Sequence, residues 1–385
     1  MNRVRYLIVG GGMTTDAAAR AIRAADPSGS IGIISEDPHP PYNRPPLSKG
    51  LWKGDDPEKV VWRGTDKIDV ELQLSRRATA INPKQKTVTD DRGNVVSYEK
   101  LLLATGGTPR RLPLQPGGAQ LIYYRTFDDY LRLRALANEK LRFAVLGGGF
   151  IGSEVAAALR MVGRDVTMLV PESGIGARVF PADLSQFLVD YYREQGVDVR
   201  TGEGLAGLQH SAGTVILRTT HGTEIPADVV VAGLGIQPNV ELAEQAGLRI
   251  DNGIVVDELL QTSAPDIFAA GDVANFFSPA LGTRLRVEHE DNANSMGAAA
   301  GRSMAGKGSP YTHLPFFYSD LFALGYEAVG ELDPRLETQS VWKQQFREGV
   351  IYYLKDGKVR GVLLWNTWGQ VDNARAIIGT GNRLE

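Results

Sequence analysis

Short apolar runs recur along this chain, each followed by a glycine turn or a polar break. The first run is Tyr6–Val9, and its turn is Gly10-Gly11-Gly12-Met13-Thr14-Thr15. An alanine-rich stretch follows, which predicts a helix over Thr15–Ala25 that Asp26-Pro27-Ser28-Gly29 stops. A second buried strand is expected over Ile31–Ile34, ending at Ser35-Glu36-Asp37. The same order returns later. Phe143–Leu146 reads as a strand, Gly147-Gly148-Gly149-Phe150-Ile151-Gly152 as its turn, Ile151–Met161 as a helix and Asp165–Val170 as the next strand, with Glu172 beyond it. Between the two repeats, Thr87–Thr89 and Asn94–Tyr98 alternate in polarity around Asp90-Asp91-Arg92-Gly93, the pattern of a hairpin or small meander. Leu101–Leu103 then reads as a buried strand running into a small-residue turn at Gly106-Gly107. Val229–Ala232 before Gly233-Leu234-Gly235 repeats that ending, and Thr262–Asp272 reads as another apolar strand ending in Gly271-Asp272. From about Tyr311 the pattern is β-rich, with strands at Ala328–Gly330, Val341–Phe346, Val350–Leu354 and Val359–Trp365 and a hairpin turn at Lys355-Asp356-Gly357-Lys358.

A glycine-rich turn between a buried strand and a helix is the dinucleotide-binding arrangement of the Rossmann fold. The glycines let the backbone turn tightly and approach a pyrophosphate, whose charge rests on the helix N-terminus. One such turn accounts for one dinucleotide. Two account for two, and so for electron traffic between a flavin and a nicotinamide. A carboxylate at the end of the second strand accepts hydrogen bonds from a ribose diol. Glu36 takes that role or is a solvated strand end, and the glycines upstream favour the first. Glu172 repels a 2′-phosphate and argues for NAD over NADP, while Arg178 leaves room for the other coenzyme. Pro40 to Lys49 is stiffened by prolines and carries Arg44 and Lys49. It is a proline-rich surface loop or a segment presenting cations to an anionic cofactor.

The 385 residues suit two or three domains, and a hydrophobic fraction of 43% is enough for ordinary cores. A net charge of −3 indicates neither nucleic-acid binding nor a polybasic membrane surface. Arg110-Arg111, Arg132, Arg134 and Arg142 are basic spots without a clear patch. No apolar run is long enough for a membrane span. The first strand opens close to Met1, so we expect no leader and a cytoplasmic location. Cysteine is absent. A disulfide framework, a thiolate metal or iron–sulfur site and a catalytic thiol are thereby excluded, and no metal is expected. Redox chemistry here belongs to a bound organic cofactor.

With those residues in view, the chain resembles the two-dinucleotide flavoprotein reductases. Within them it is most similar to apoptosis-inducing factor and its bacterial relatives, near the ferredoxin-reductase branch. The resemblance rests on Ser35–Tyr42, Arg44–Lys49, Leu51–Trp52, Ala104–Arg110, Gly147–Glu154, Gly235–Ala243, Phe268–Asp272, Arg286–His289, Gly325–Gly330, Gly349–Leu354 and Leu364–Asn366. It implies an α/β fold with two Rossmann-like dinucleotide-binding domains, glutathione-reductase-like, plus a C-terminal α+β domain. The FAD-binding domain would comprise residues 1–115 and 243–308, interrupted by an NAD-binding domain at 116–242, with 309–385 as the last domain.

For FAD the resemblance implies Gly10, Gly11, Gly12, Met13, Thr14, Glu36, Asp37, Arg44, Lys49, Ala78, Arg125, Asp272, His289 and Glu290. For NAD(H) it implies Gly147, Gly148, Gly149, Phe150, Ile151, Gly152, Glu172, Arg178 and Gly235, with Glu288, Tyr318, Glu327 and Asn366 closing that site. Lys49, Phe150 and Glu154 are the implied catalytic residues: an ion pair of Lys49 with Glu154 near flavin N5, and Phe150 as an aromatic gate or as simple packing. The chain departs from the family at Thr15, where a third small residue belongs, at Tyr318, often tryptophan, and at Glu290, which replaces a histidine. It also lacks a long polar insertion before the last hairpin, which speaks against a cell-death role.

The implied activity is that of an NADH-preferring, FAD-dependent oxidoreductase, with hydride passing from nicotinamide to flavin. Without cysteine, electrons leave the flavin directly for an external acceptor: a ferredoxin, a quinone, a small oxidant or oxygen. Two alternatives stand beside it. One is a ferredoxin reductase component of an oxygenase system. The other is an NADH-sensing interaction protein whose homodimer is favoured on reduction.

Overall fold

The computed structural model describes residues 1–113, 120–139, 141–211 and 214–380. The segment boundary expected at 115/116 and the end of the last segment at 385 lie outside the described residues. The chain clusters into two units, each assembled from three stretches. The first holds Met1–Asn43, Asp56–Thr108 and Gln237–Phe317; the second holds Arg44–Asp55, Pro109–Ile236 and the chain from Tyr318 on.

In the first unit, Arg3–Val9 lies between Ile31–Ile34 and Val95–Leu103 and pairs with both in parallel. Glu71–Gln73 extends the sheet beside Ile31–Ile34, and Ile267–Ala269 pairs with Leu101–Leu103 on the other side. One expectation needs correction. Asn94–Tyr98 and Leu101–Leu103 do not belong to separate elements; Val95–Leu103 is a single strand. Its alternating first half pairs antiparallel with Thr87–Asp90, and its apolar second half is buried between two parallel neighbours. The change in polarity records a change of neighbours, not a break in the strand.

The helix Met13–Ala25 packs against a second helix, Glu290–Met304. Their approach is set by missing side chains. A Cβ on Gly297 would stand 2.4 Å from the Thr14 carbonyl oxygen, and one on Gly301 would stand 2.5 Å from that of Ala18. Two glycines one helical turn apart therefore admit the facing backbone, which any larger residue would push away.

The second unit repeats the plan. Its parallel sheet runs in the order Asp198–Thr201, Asp165–Val170, Arg142–Leu146, Val229–Ala232, Gln120–Ile122. The helix Phe150–Met161 follows the central strand as Met13–Ala25 does in the first unit. A small antiparallel sheet of Leu205–Ser211, Thr214–Thr219 and Glu224–Ala227 is attached. The C-terminal five-stranded sheet has the order Phe316–Leu321, Leu324–Gly330, Lys358–Trp365, Glu348–Lys355, Glu337–Gln344, followed by a helix at Val371–Thr380. Its hairpin turns at Asp356 and Gly357, with φ of 54° and 70°, the paired positive values of a two-residue turn that matches strand twist. No helix among the described residues is long and apolar enough to cross a membrane.

The two glycine turns are packed differently at their last position. A Cβ on Gly152 would stand 2.1 Å from the Gly147 carbonyl oxygen. Thr15, its counterpart, is fully buried, and its hydroxyl is without a hydrogen-bond partner. Gly152→Ala should therefore lower stability by about 1–3 kcal/mol through overpacking. Urea denaturation of the variant checks this, and an unchanged midpoint would mean that the second helix tolerates the shift the first has made.

Candidate functional site

Each helix that follows a glycine turn starts from a glycine N-cap, Gly12 or Gly149, with no side chain capping the first turn. Backbone N–H groups of a first helical turn have no intrahelical acceptor, and with the helix dipole they favour an anion. The preceding glycines close the turns against their own sheets. A Cβ on Gly10 (φ +136°) would meet the Ala104 carbonyl oxygen at 2.1 Å, and one on Gly147 (φ +100°) would meet that of Gly233 at 2.5 Å. A Cβ on Gly11 would stand 1.9 Å from Ser35 Oγ, and one on Gly148 would stand 2.7 Å from a Val170 methyl. At Gly12 and Gly149, by contrast, a Cβ would meet nothing within 4 Å. The turns are packed on the sheet side and open above the helix start. That shape suits a pyrophosphate at each.

In the first unit, Met13 and Thr14 are buried behind this turn, and a Cβ on Gly271 would stand 2.3 Å from Thr14 Oγ1. The turn carrying Asp272 is thus brought against the first glycine turn. Arg286 donates to the Asp272 carbonyl oxygen at 3.2 Å and pairs with Glu288 at 2.6 Å. Glu36 is exposed beyond its strand, 3.8 Å from Arg77. Asp37 is more constrained: its oxygens accept from the His39 amide and the Tyr42 hydroxyl, both at 3.0 Å. Ala78 opens a strand and is half-buried against the core.

His289 caps a long helix whose first turn carries Glu290 and Asp291, where negative charge suits the helix dipole. Its ring stacks on Phe317 at 4.2 Å. Burial pushes the His289 pKa down to about 4, against the opposing pull of Asp272 and Asp291. The imidazole is therefore neutral at physiological pH.

The second unit holds a buried polar cluster around Glu154. Pro45–Ser48 and Gly50–Lys53 are short helical turns that deliver Ser48 and Lys49. Glu154 lies in the helix Phe150–Met161 and is 3% exposed. Its Oε1 accepts from Lys49 Nζ at 2.7 Å and from Ser319 Oγ at 2.6 Å, and its Oε2 accepts from Ser48 Oγ at 2.5 Å. Lys49 also lies 5.2 Å from the centre of the Tyr318 ring, a cation–π distance. Arg44 donates to the Arg125 carbonyl oxygen at 3.3 Å. Phe150 is half-buried at the helix start, and Ile151 beside it is 39% exposed.

Glu172 pairs with Arg178 at 2.5 Å, and the Arg178 side chain is 84% exposed. Gly235 has a φ of +76° and offers its carbonyl to the Arg110 amide at 2.9 Å. Glu327 accepts from the Gly369 amide at 3.0 Å. Asn366 uses its side chain to brace the loop, accepting from the Gly325 amide at 2.7 Å and donating to the Arg347 carbonyl at 2.9 Å.

Lys49, Glu154 and Tyr318 are thus brought together, as are Glu172 with Arg178 and Arg44 with the backbone of Arg125. Ser48 and Ser319 were missed by sequence reasoning. Ser48 adjoins Lys49 in a segment already singled out, whereas a lone serine in an apolar strand gives no signal of its own.

A family model described as pyridine nucleotide-disulphide oxidoreductase matches residues 4–297. A second, described as the C-terminal part of mitochondrion-associated apoptosis-inducing factor, matches 300–345 and 343–380. The chain is 34% identical to apoptosis-inducing factor 1, mitochondrial, of Dictyostelium discoideum, over 98% of this chain and 79% of that protein. It is 36% identical to the ferredoxin–NAD(+) reductase component of the anthranilate 1,2-dioxygenase system of Burkholderia cepacia, over 84% and 81%. The covalent complex of putidaredoxin reductase with putidaredoxin superposes with a TM-score of 0.93 at 32% identity, covering 100% of this chain and 95% of that one.

His289 carries a consequence for acid stability. An unfolded histidine takes up its proton near 6.5, while in the fold it does so only near 4. Between these values the unfolded chain binds more protons, so stability falls as pH is lowered through that window. Urea midpoints measured from pH 7 to 4 should fall more steeply for the natural protein than for His289→Gln. Parallel curves would show that this ring is not buried as described.

Proposed function

The chain belongs to the pyridine nucleotide-disulphide oxidoreductase family and is an FAD-dependent NAD(P)H oxidoreductase; from that premise we propose that it takes hydride from NADH and passes electrons to an acceptor outside the chain. The observation that carries this reading is the pair of uncapped glycine turns, each closed on its sheet side and open above its helix. FAD, when bound, supplies the hydride-accepting ring and the route for single electrons. Residues 1–115 and 243–308 are assigned to FAD, 116–242 to NAD(H) and 309–385 to the C-terminal domain.

In this reading Gly10–Thr14 hold the FAD pyrophosphate, with Asp272 at its ribitol side and Glu36 at the adenosine ribose. Arg44, Arg125 and the backbone at Ala78 complete the contacts. Neutral His289 lies near the flavin and adds no charge there, while Glu290 adds a negative one. Gly147–Gly152 hold the NADH pyrophosphate, and Glu172 accepts from the adenosine ribose. Glu172 already engages Arg178, which supports NADH over NADPH, because a 2′-phosphate would have to win that cation from the carboxylate. Lys49, held by Glu154, keeps a positive charge beside the flavin and favours added electron density there. Phe150 would cover the face of a bound flavin and give way to nicotinamide. Glu288, Tyr318, Glu327 and Asn366 close the nicotinamide side.

The family name refers to a disulphide, but this chain has no cysteine and cannot relay electrons through a thiol pair. Its acceptor therefore takes electrons from the flavin itself. A ferredoxin is one such acceptor, in line with the name of one protein it resembles.

Anaerobic titration of the purified protein with NADH, followed by visible absorption, tests the reading. A yellow protein should bleach, and admitted air or an added ferredoxin should restore its colour. A colourless protein that takes up no flavin would overturn the account. Lys49→Ala should lower the flavin midpoint potential by about 30 mV, the equivalent of about 1.4 kcal/mol for a two-electron couple. Glu172→Ala should narrow the preference for NADH over NADPH by about tenfold, read from the ratio of kcat/KM values.

A further inference from the structure

We propose that Ser319 is a positioning residue: its hydroxyl donates to Glu154 Oε1 and holds that carboxylate aimed at Lys49. The inference rests on the role given above to Lys49 and adds to it.

The geometry is that of a saturated buried anion. Glu154 is 3% exposed, so water cannot solvate it. Oε1 takes Lys49 and Ser319, and Oε2 takes Ser48. Ser319 is itself fully buried, in the strand Phe316–Leu321. A serine hydroxyl has one proton to give and lone pairs to receive. That proton goes to Glu154 Oε1, the same oxygen that takes Lys49.

Tyr326 feels the charge of Glu154. Burial raises its pKa well above the ordinary value, and the Glu154 charge raises it further, so it keeps its proton. Its ring is fixed by stacking on Trp365 at 5.8 Å, with Phe180 edge-on at 5.2 Å. The other titratable groups that feel Glu154 are Tyr192, from the helix Ala182–Glu194, and Tyr124, both pushed up chiefly by burial. Neither competes for the proton at neutral pH. Next to Ser319, Asp320 is already paired with Lys53 at 2.7 Å. Lys49 is therefore the cation paired with Glu154.

Removing the Ser319 hydroxyl takes a charge-assisted hydrogen bond from Oε1, and Lys49 should lose its fixed counter-charge. The test uses the FAD-loaded enzyme in anaerobic stopped flow with NADH, beside a redox titration of the bound flavin. In Ser319→Ala flavin reduction should slow by about tenfold, the equivalent of one hydrogen bond to a charged group. The flavin midpoint potential should shift as well, and NADH affinity should stay as it was. Ser319→Thr, which keeps the hydroxyl, should restore both. Ser319→Cys, close in size but a weak donor, should act the same way by less, and it serves if Ser319→Ala does not fold.

A reduction rate and potential unchanged in Ser319→Ala, or in Ser319→Cys where that variant stands in, overturn the proposal. Lys49→Ala separates the two readings. If it shifts the potential while Ser319→Ala does not, only the role of Ser319 fails. If neither shifts it, the role of Lys49 fails first.

Discussion

A carboxylate buried at Glu154 governs how much of the second unit is arranged. Removing an ionised carboxylate from water costs several kcal/mol even after relaxation, and only close, well-directed donors offset it. Here the donors come from distant stretches of chain: Ser48 and Lys49 from the proline-stiffened turn, and Ser319 from the C-terminal sheet. Each must be placed within hydrogen-bond reach, so each stretch must be rigid. The prolines at 45 and 46 supply that rigidity on one side. The Leu47 carbonyl oxygen accepts from the Trp52 indole at 2.7 Å and also from the Tyr124 hydroxyl, which pins the turn. On the other side, the stack of Tyr326 on Trp365 fixes the sheet, and Tyr353 ties that sheet to the Val179 carbonyl at 2.6 Å. The apolar packing around this site thus also serves to hold an anion in place.

The two glycine turns show a different constraint, that of backbone meeting backbone. At Gly10 and Gly147 a side chain would collide with the carbonyl of the residue just past the sheet's next strand, and the positive φ would be strained as well. At Gly12 and Gly149 there is space above the helix start. The same tripeptide thus does two jobs in each unit. One end seals the turn to its sheet, and the other leaves room for an anion. The first turn accepts Thr15 where the second has Gly152, with a buried hydroxyl lacking a partner. The plan is repeated, but its packing is solved differently each time.

Much of this was legible in the sequence because it depends on local pattern. Ile31–Ile34, Asp165–Val170 and Val229–Ala232 stand where their apolar runs put them, and each helix starts within two residues of its expected beginning. Asp356-Gly357 turns its hairpin because those residue types accept positive φ. The failure at Val95–Leu103 is instructive, since the strand changes partners midway and the alternation changes with it. A pattern reader sees two elements where the backbone makes one. Lys49 and Glu154 were legible through a family resemblance, and Tyr318 likewise. Ser319 was not. Its importance comes from what stands opposite it after folding, and nothing in the neighbouring residues encodes that.

The discontinuity of the first unit sets a timetable for its birth on the ribosome. Ile267–Ala269 pairs with Leu101–Leu103, so one side of that apolar strand waits for chain made roughly 160 residues later. At about 5–20 residues per second, that wait lasts on the order of 10–30 s. Pro109–Ile236 of the second unit emerges in the interval and must fold without capturing the waiting edge. A nascent chain paused before Ile267 would hold three apolar leucines in a half-built sheet, the state in which a chaperone has most to protect.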